Sequence, residues 1–209
     1  MTNINYKNKI IKMLRKGRYH KMKNKYLKVM FGTTSGANSE FKYKIGEVNI
    51  AEQWNPNEFD PKKMGGFNFS VENKIIRWLV RGDTMYDVTL PEDAEVIDCP
   101  SPSCPHGVFR SDKIIISNPR PVTDDMAMDL YLKSELPEKS YFRAMAGCAV
   151  RGYMKTANKI FEDKVNKKNI ELAINEYESF IKPDNEDKFK TKFLDSNTRE
   201  IYNKLLKLK

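Results

Sequence analysis

The apolar residues of this chain follow two different periods, and the switch between them fixes the fold class. Between positions 41 and 117 they alternate with polar residues, as on a pleated strand. From Thr123 onward they recur every three or four residues, as on one face of a helix. Phe41-Lys42-Tyr43-Lys44-Ile45 alternates and stops at Gly46, and WNPNEFDPKK at 54–63 reads as a loop. Gly65-Gly66 is a turn feeding the short strand Phe67-Asn68-Phe69-Ser70. ENKIIRWLVR at 72–81 suits a helix carrying Ile75, Ile76, Leu79 and Val80, closed by Gly82-Asp83. Met85-Tyr86-Asp87-Val88-Thr89-Leu90 alternates up to Pro91, and 94–97 is a weaker strand. Lys113-Ile114-Ile115-Ile116-Ser117 is β-branched and belongs at the centre of a sheet. Pro119 and Pro121 then punctuate the end of this unit.

The helical half opens with Thr123 as N-cap and Asp124 and Asp125 favouring the positive helix end. Pro137 starts a long helix over 138–165, whose middle is crowded with Ala144, Ala146, Gly147, Cys148, Ala149 and Gly152. Small residues there let another backbone approach closely. Asn169 caps a third helix through Ile181. PDNEDKFK at 183–190 is a polar loop, and Asn197 with Glu200 resembles a capping box opening a last helix over 198–208. The expected fold is therefore α+β: a small mixed or antiparallel sheet domain at 40–121, then a helical bundle at 122–209.

The charge is concentrated ahead of both parts. The net charge of +9 arises from 37 Lys and Arg against 28 Asp and Glu. Residues 1–39 hold ten of the basic residues and no acid, so the remainder is nearly neutral. Ile10, Met13 and Leu14 share a helical face, as do Tyr19, Met22, Tyr26 and Met30, with Gly17 between. Two basic amphipathic helices, about 5–16 and 18–30, are expected in an extension spanning 1–36. Such a segment can track a phosphate backbone, lie on an anionic membrane surface, act as a transit peptide, or dock its apolar stripe on the rest of the chain. On the nucleic-acid reading, Lys9, Lys12, Arg15, Lys16, Arg18, Lys21, Lys23 and Lys25 contact phosphates while Tyr19 and Tyr26 stack on bases.

Several chemistries are excluded. A mean hydropathy of −0.66 and the lack of an apolar run near 18 residues argue against a membrane span. Three cysteines, an odd number, argue against a secreted disulfide scaffold. The chain has no P-loop, no dinucleotide-binding glycine pattern and no nucleophile elbow. Its two histidines, His20 and His106, lie near no credible nucleophile. Cys99, Cys104 and His106 supply three zinc-type donors in a proline-rich loop, but their spacing fits no finger or ribbon. A fourth ligand would have to be remote: Cys148, His20 or a carboxylate. Asp83 and Asp87, or Glu92, Asp93 and Glu95, offer paired carboxylates around a Leu-Pro turn, where solvated acids are the ordinary finding. No metal and no cofactor are expected.

Two resemblances enter on these residues. The stretch FKYKIG…GGFNFS…TMYDVTLPEDAEVI…SDKIIISNPRPVTDDMAMDLYLKSELPEKSYFRAMAGCAVRGYMKTA resembles a paralogous family of uncharacterised proteins of giant amoebal viruses, over about 40–180. Its middle is similar to the domain preceding ankyrin repeats in those viruses. The resemblance implies a viral interaction protein of the host cytoplasm or viral factory, with no assigned activity. The order strand, Gly-Gly-Phe-Asn-Phe-Ser, helix, strand is also similar to ADP-ribosyltransferase-like folds. That family requires an Arg or His on an early strand, a Ser or Tyr on the aromatic strand and a later Glu. Phe69-Ser70 matches the second element. The early strand has Lys42, Tyr43 and Lys44, and Asp112-Lys113 stands where the Glu is needed. The implied alternatives are a divergent or degenerate NAD-dependent transferase, or a small-molecule pocket formed by Tyr43, Gly65, Gly66, Phe67, Phe69 and Ser70. The leading expectation is a non-enzymatic protein whose basic segment binds nucleic acid or an acidic protein partner, with a structural role in virion assembly as a further alternative.

Overall fold

The structure, a computed structural model, describes residues 25–34, 40–58, 60–99, 106–181 and 195–209. Its organising element is β1, Tyr26–Met30. Leu27 and Val29 are buried against the helices, while Met30 is buried with the aromatic residues of the opposite face, beside Tyr26. This alternation corrects the helix expected over 18–30, at least for its last five residues. Tyr26 and Met30 are four apart, a spacing that keeps residues on one face in a strand and in a helix alike. The intervening Leu27-Lys28-Val29 decides the matter, and residues 18–24 lie outside the described part.

Along all five residues β1 pairs antiparallel with β4, Thr84–Thr89. Its other side joins β3, Phe67–Val71, through only two register pairs, Tyr26 with Val71 and Leu27 with Ser70. The remaining strands are β2 (Val48–Ile50), β5 (Val96–Asp98), β6 (Val108–Ser111) and β7 (Lys113–Pro121). Among the described residues these seven form one sheet in the order β2-β7-β4-β1-β3-β6-β5, with β1 in the middle. The fold is α+β, as the change of period predicts.

Three strand expectations are corrected. Residues 41–45 do not form a ladder; Lys42 and Ile45 make isolated bridges, and the regular strand comes later, at Val48–Ile50. Buried Asn49 explains the displacement. It accepts from the Lys44 N–H at 2.8 Å and donates to the Lys44 carbonyl at 2.9 Å, taking up backbone groups that a strand would otherwise pair. The strand at 113–117 is second from the edge, not central, and continues through Pro119 and Pro121. It does so because the ladder shifts register between Met85 and Asp87, opposite Asn118 at φ 51°. A bulge of this kind accommodates proline, which has no N–H to donate. Strand β6 lies just after the Cys99–Gly107 loop, in a stretch to which the sequence analysis assigns no element; its Phe109 is buried on the aromatic face.

The expected helix at 72–81 is present as a 3-10 helix, Glu72–Arg81, with Ile75, Ile76, Leu79 and Val80 buried. A single turn, α1, covers Pro61–Met64. Then come α2 (Asp124–Leu132), α3 (Glu138–Arg151), α4 (Met154–Lys164), α5 (Ile170–Ile181) and α6 (Ser196–Leu208). Thr123 caps α2 by accepting from the Met126 N–H at 3.2 Å. Ten of the fourteen residues of α3 are buried, so α3 is the hub of the helical layer. A Cβ on Gly147 would stand 3.5 Å from Val80 and 3.7 Å from Phe180, which is how closely the 3-10 helix and α5 approach. One continuous core joins Leu27, Val29 and Met85 of the sheet to the helices.

Two helix expectations are also corrected. The helix expected over 138–165 breaks at Gly152, left-handed at φ 77°, where the Tyr153 N–H reaches back to the Cys148 carbonyl at 2.9 Å. The final helix is capped by Asp195, not Asn197. Its carboxylate accepts from the Thr198 N–H at 2.9 Å.

Replacing the fully buried Phe142 with alanine should lower unfolding free energy by about 3–5 kcal/mol in chemical denaturation. Asp195→Ala should cost about 1 kcal/mol and Asn197→Ala less than about 0.5 kcal/mol; equal costs would contradict the cap assignment.

Candidate functional site

Of the ten residues expected to contact nucleic acid, Lys9, Lys12, Arg15, Lys16, Arg18, Tyr19, Lys21 and Lys23 lie outside the described residues. Lys25 and Tyr26 lie where the chain enters the sheet. The Lys25 carbonyl accepts from the Glu72 N–H at 3.1 Å, and its ammonium stands 4.0 Å from the Asp87 carboxylate. Asp87 also receives Arg120 at 2.8 Å and Asn118 at 2.9 Å. Burial alone would raise the Asp87 pKa, but those hydrogen bonds and the charges of Arg120 and Lys25 outweigh it and hold the carboxyl below its ordinary range. Tyr26 sets its ring edge-on to Phe69 at 5.3 Å and to Phe109 at 5.6 Å, so it is part of the sheet's aromatic face.

The structure places the residues of the expected ligand pocket in four different surroundings. Tyr43 and Phe67 meet at 5.2 Å between ring centres, with Phe41 against both. Phe69 instead stacks on Phe109 at 5.6 Å. Ser70 shares the face of its register partner Leu27, turned toward the helices, and is 1% exposed; its hydroxyl donates to the Gly107 carbonyl at 2.7 Å. The Ser70 hydroxyl is therefore buried and engaged within the fold. Gly65 and Gly66 are both left-handed, at φ 71° and 73°, and pack against the backbone of Gln53 and the ring of Trp54. A Cβ on Gly65 would lie 2.1 Å from the Gln53 oxygen, so this turn is a packing requirement.

The residue that sequence reasoning missed is Lys28. It alternates with Leu27 and Val29, so it belongs to the aromatic face with Tyr26 and Met30, in a five-residue strand. It lies just beyond the point where the β1–β3 ladder ends. Its Nζ donates to the Asn68 carbonyl at 2.7 Å and sits 5.1 Å from the centre of the Tyr43 ring. Arg110 is the register partner of Asn68, and its guanidinium donates to the Gly65 carbonyl at 2.7 Å. Burial, followed by repulsion from Arg110, pushes the Lys28 amine down to about 7. Burial also lowers Arg110, against the opposing influence of Cys99 and Asp60. The signal in the sequence was period two across 26–30; counting Lys28 among ten cations concealed it.

The other clusters are engaged in ordinary ways. Asp93 pairs with Lys113, and the Glu95 carboxylate accepts from the Trp54 indole at 2.8 Å. His106 and Asp98 are 3.2 Å apart. Cys104 lies outside the described residues, among which no group of three or more His, Cys, Asp and Glu side chains could hold a metal ion. No described helix is long and apolar enough to cross a membrane. Comparison with family models, curated proteins and solved structures yields no match.

The lowered Lys28 pKa has a signed consequence. Between about 7 and the ordinary lysine value near 10.5, the unfolded chain binds the proton more readily than the folded one. Stability contributed by this group therefore rises with pH across that window, and charged Lys28 is a cost below it. Lys28→Met should be more stable than the parent at pH 6–7, with the difference shrinking toward pH 10; urea denaturation at the two pH values checks this.

Proposed function

We propose that the chain is a non-enzymatic interaction protein whose first 24 residues bind nucleic acid through the phosphate backbone. The observation that carries this reading is the segregation of charge. Eight of the 37 Lys and Arg precede residue 25 without a single acid, and the rest of the chain is close to neutral. Lys25 and Lys28 are committed within the fold, to Asp87 and to the Asn68 carbonyl. The segment leads into the central strand, so whatever it binds is tethered to the middle of the sheet. With the giant-virus resemblance of the middle region, this reading describes a viral protein acting in the host cytoplasm or viral factory.

Each phosphate neutralised by a lysine or arginine releases condensed counterions, so affinity for a duplex should fall steeply with salt, with a logarithmic slope of about −0.9 per contact. The test is binding of a generic duplex by the full chain and by a variant with Lys9, Lys12, Lys16, Lys21 and Lys23 changed to Gln. These substitutions all precede β1 and leave its register pairs untouched. The expected result is strong, salt-sensitive binding by the parent and a loss of most of both affinity and salt slope in the variant. Binding indifferent to salt, or equal in the two proteins, would sink the reading. Binding to a polyglutamate chain instead of the duplex would point to an acidic protein partner.

A further inference from the structure

We propose that the outer edge of β2 pairs with the same strand of a second copy of this chain, joining two sheets antiparallel about a two-fold axis at Asn49. Strand β2 ends the sheet order, and among the described residues no strand lies on its outer side. Its inner side meets β7 in the register Val48 with Ile115, Asn49 with Ile114 and Ile50 with Lys113. One residue further on in that register, the Ala51 N–H donates to the Asp112 carbonyl at 2.8 Å. Antiparallel pairs alternate between bonded and unbonded. Asn49 and Ala51 therefore turn their N–H and C=O groups inward to β7, and Val48 and Ile50 turn theirs outward.

The side chains divide in the same way. Asn49 is buried and shares the face of its register partner Ile114, which belongs to the aromatic face. Val48 and Ile50 stand on the opposite face beside Ile115, at 46% and 61% exposure, and are not part of the core beneath the helices. Protected edges carry a lysine, a proline or a bulge. Residues 48–51, Val-Asn-Ile-Ala, carry none of these. The edge is also complementary to itself. An axis through Asn49 sets Val48 of each copy opposite Ile50 of the other, and in that register all the outward groups of both residues meet. A shift that paired Val48 with Val48 would set Ile50 against Gly46, whose N–H is already given to the Ile116 carbonyl at 2.8 Å. The two-fold register also makes one aliphatic strip across the seam, from Ile115, Val48 and Ile50 of one copy to the same three of the other. It brings no like charges together within the strand. At each end Glu52 of one copy comes opposite Gly46 of the other, between Lys44 and Glu47, which pair at 3.6 Å, so charges of both signs meet there. A seam this short belongs with the small, reversible interfaces below about 1,200 Å². Closed two-fold pairing of this kind stops at a dimer. The inference does not depend on what the basic segment binds.

The test is sedimentation velocity of the full chain from micromolar to millimolar concentration. The mass should rise from 24.4 kDa toward twice that value, and no further. Val48→Lys and Ile50→Lys should each stay monomeric, while Leu132→Lys, at the exposed end of α2, and the variant with the five N-terminal lysines neutralised should associate as the parent does. A parent that is monomeric throughout would overturn the proposal, and so would association that survives the β2 substitutions or fails in either control. Should the lysine variants not fold, cysteine pairing fixes the register. Oxidising a mixture of Val48→Cys and Ile50→Cys proteins should give a disulfide between position 48 of one chain and position 50 of the other, mapped by mass spectrometry. Either variant oxidised alone should form no link through its new thiol, because equivalent positions lie too far apart across the axis to bridge. Links in the single-variant samples but none in the mixture would overturn the two-fold pairing at Asn49.

Discussion

The hydrogen-bonded position of β1 in the middle of the sheet is the constraint on which the rest depends. A strand with a neighbour on each side can satisfy its N–H and C=O groups in both directions, which an edge strand cannot do. Leu27 and Val29 then project into the helical layer, and Tyr26 and Met30 to the aromatic face. The 3-10 helix follows β3 directly and places Ile75, Ile76, Leu79 and Val80 over β1, and α3 with its small residues closes down on them. Without β1 the block β2-β7-β4 and the block β3-β6-β5 would have no strand joining them, and the helical layer would lose its floor.

The two faces of the sheet are built from different chemistry. Toward the helices the contacts are aliphatic and close, as the Gly147 approach shows. On the other face, among the described residues, there is no helical layer of comparable length. Tyr26, Phe41, Tyr43, Phe67, Phe69 and Phe109 cover one another through edge-on, tilted and stacked ring contacts. Rings can bury area without a second layer of secondary structure, and their faces accept a cation. That is what makes a lysine tolerable among them.

Much of the architecture was legible in the sequence where a local rule and the tertiary environment agreed. Gly65-Gly66 before Phe67, the 72–81 helix and the Thr123 cap are cases in which turn chemistry, period and capping point the same way. The failures are cases in which one residue satisfies two rules. Tyr26 and Met30 fit both a strand and a helix, and Asn197 with Glu200 mimics a capping box two residues after the true cap, Asp195. Pro119 and Pro121 look like terminators until a register shift is seen opposite them. At the candidate site, Tyr43 and Phe67 were foreseen and do meet, whereas Ser70 turned to the other face. Lys28 was hidden because a cation in a run of cations carries no information about which side of a strand it will occupy.

The seam between β1 and β3 has a mechanical side. Two residue pairs join a four-strand block, β2-β7-β4-β1, to a three-strand block, β3-β6-β5, whereas five join β1 to β4. Under strain a sheet parts where its ladder is shortest. The molecule is thus jointed like two panels on a narrow hinge, with the aromatic rings spanning the fold line. Amide protons along β3 should report that flexing well before those of β4 do, and anything lodged between the panels would act as a latch.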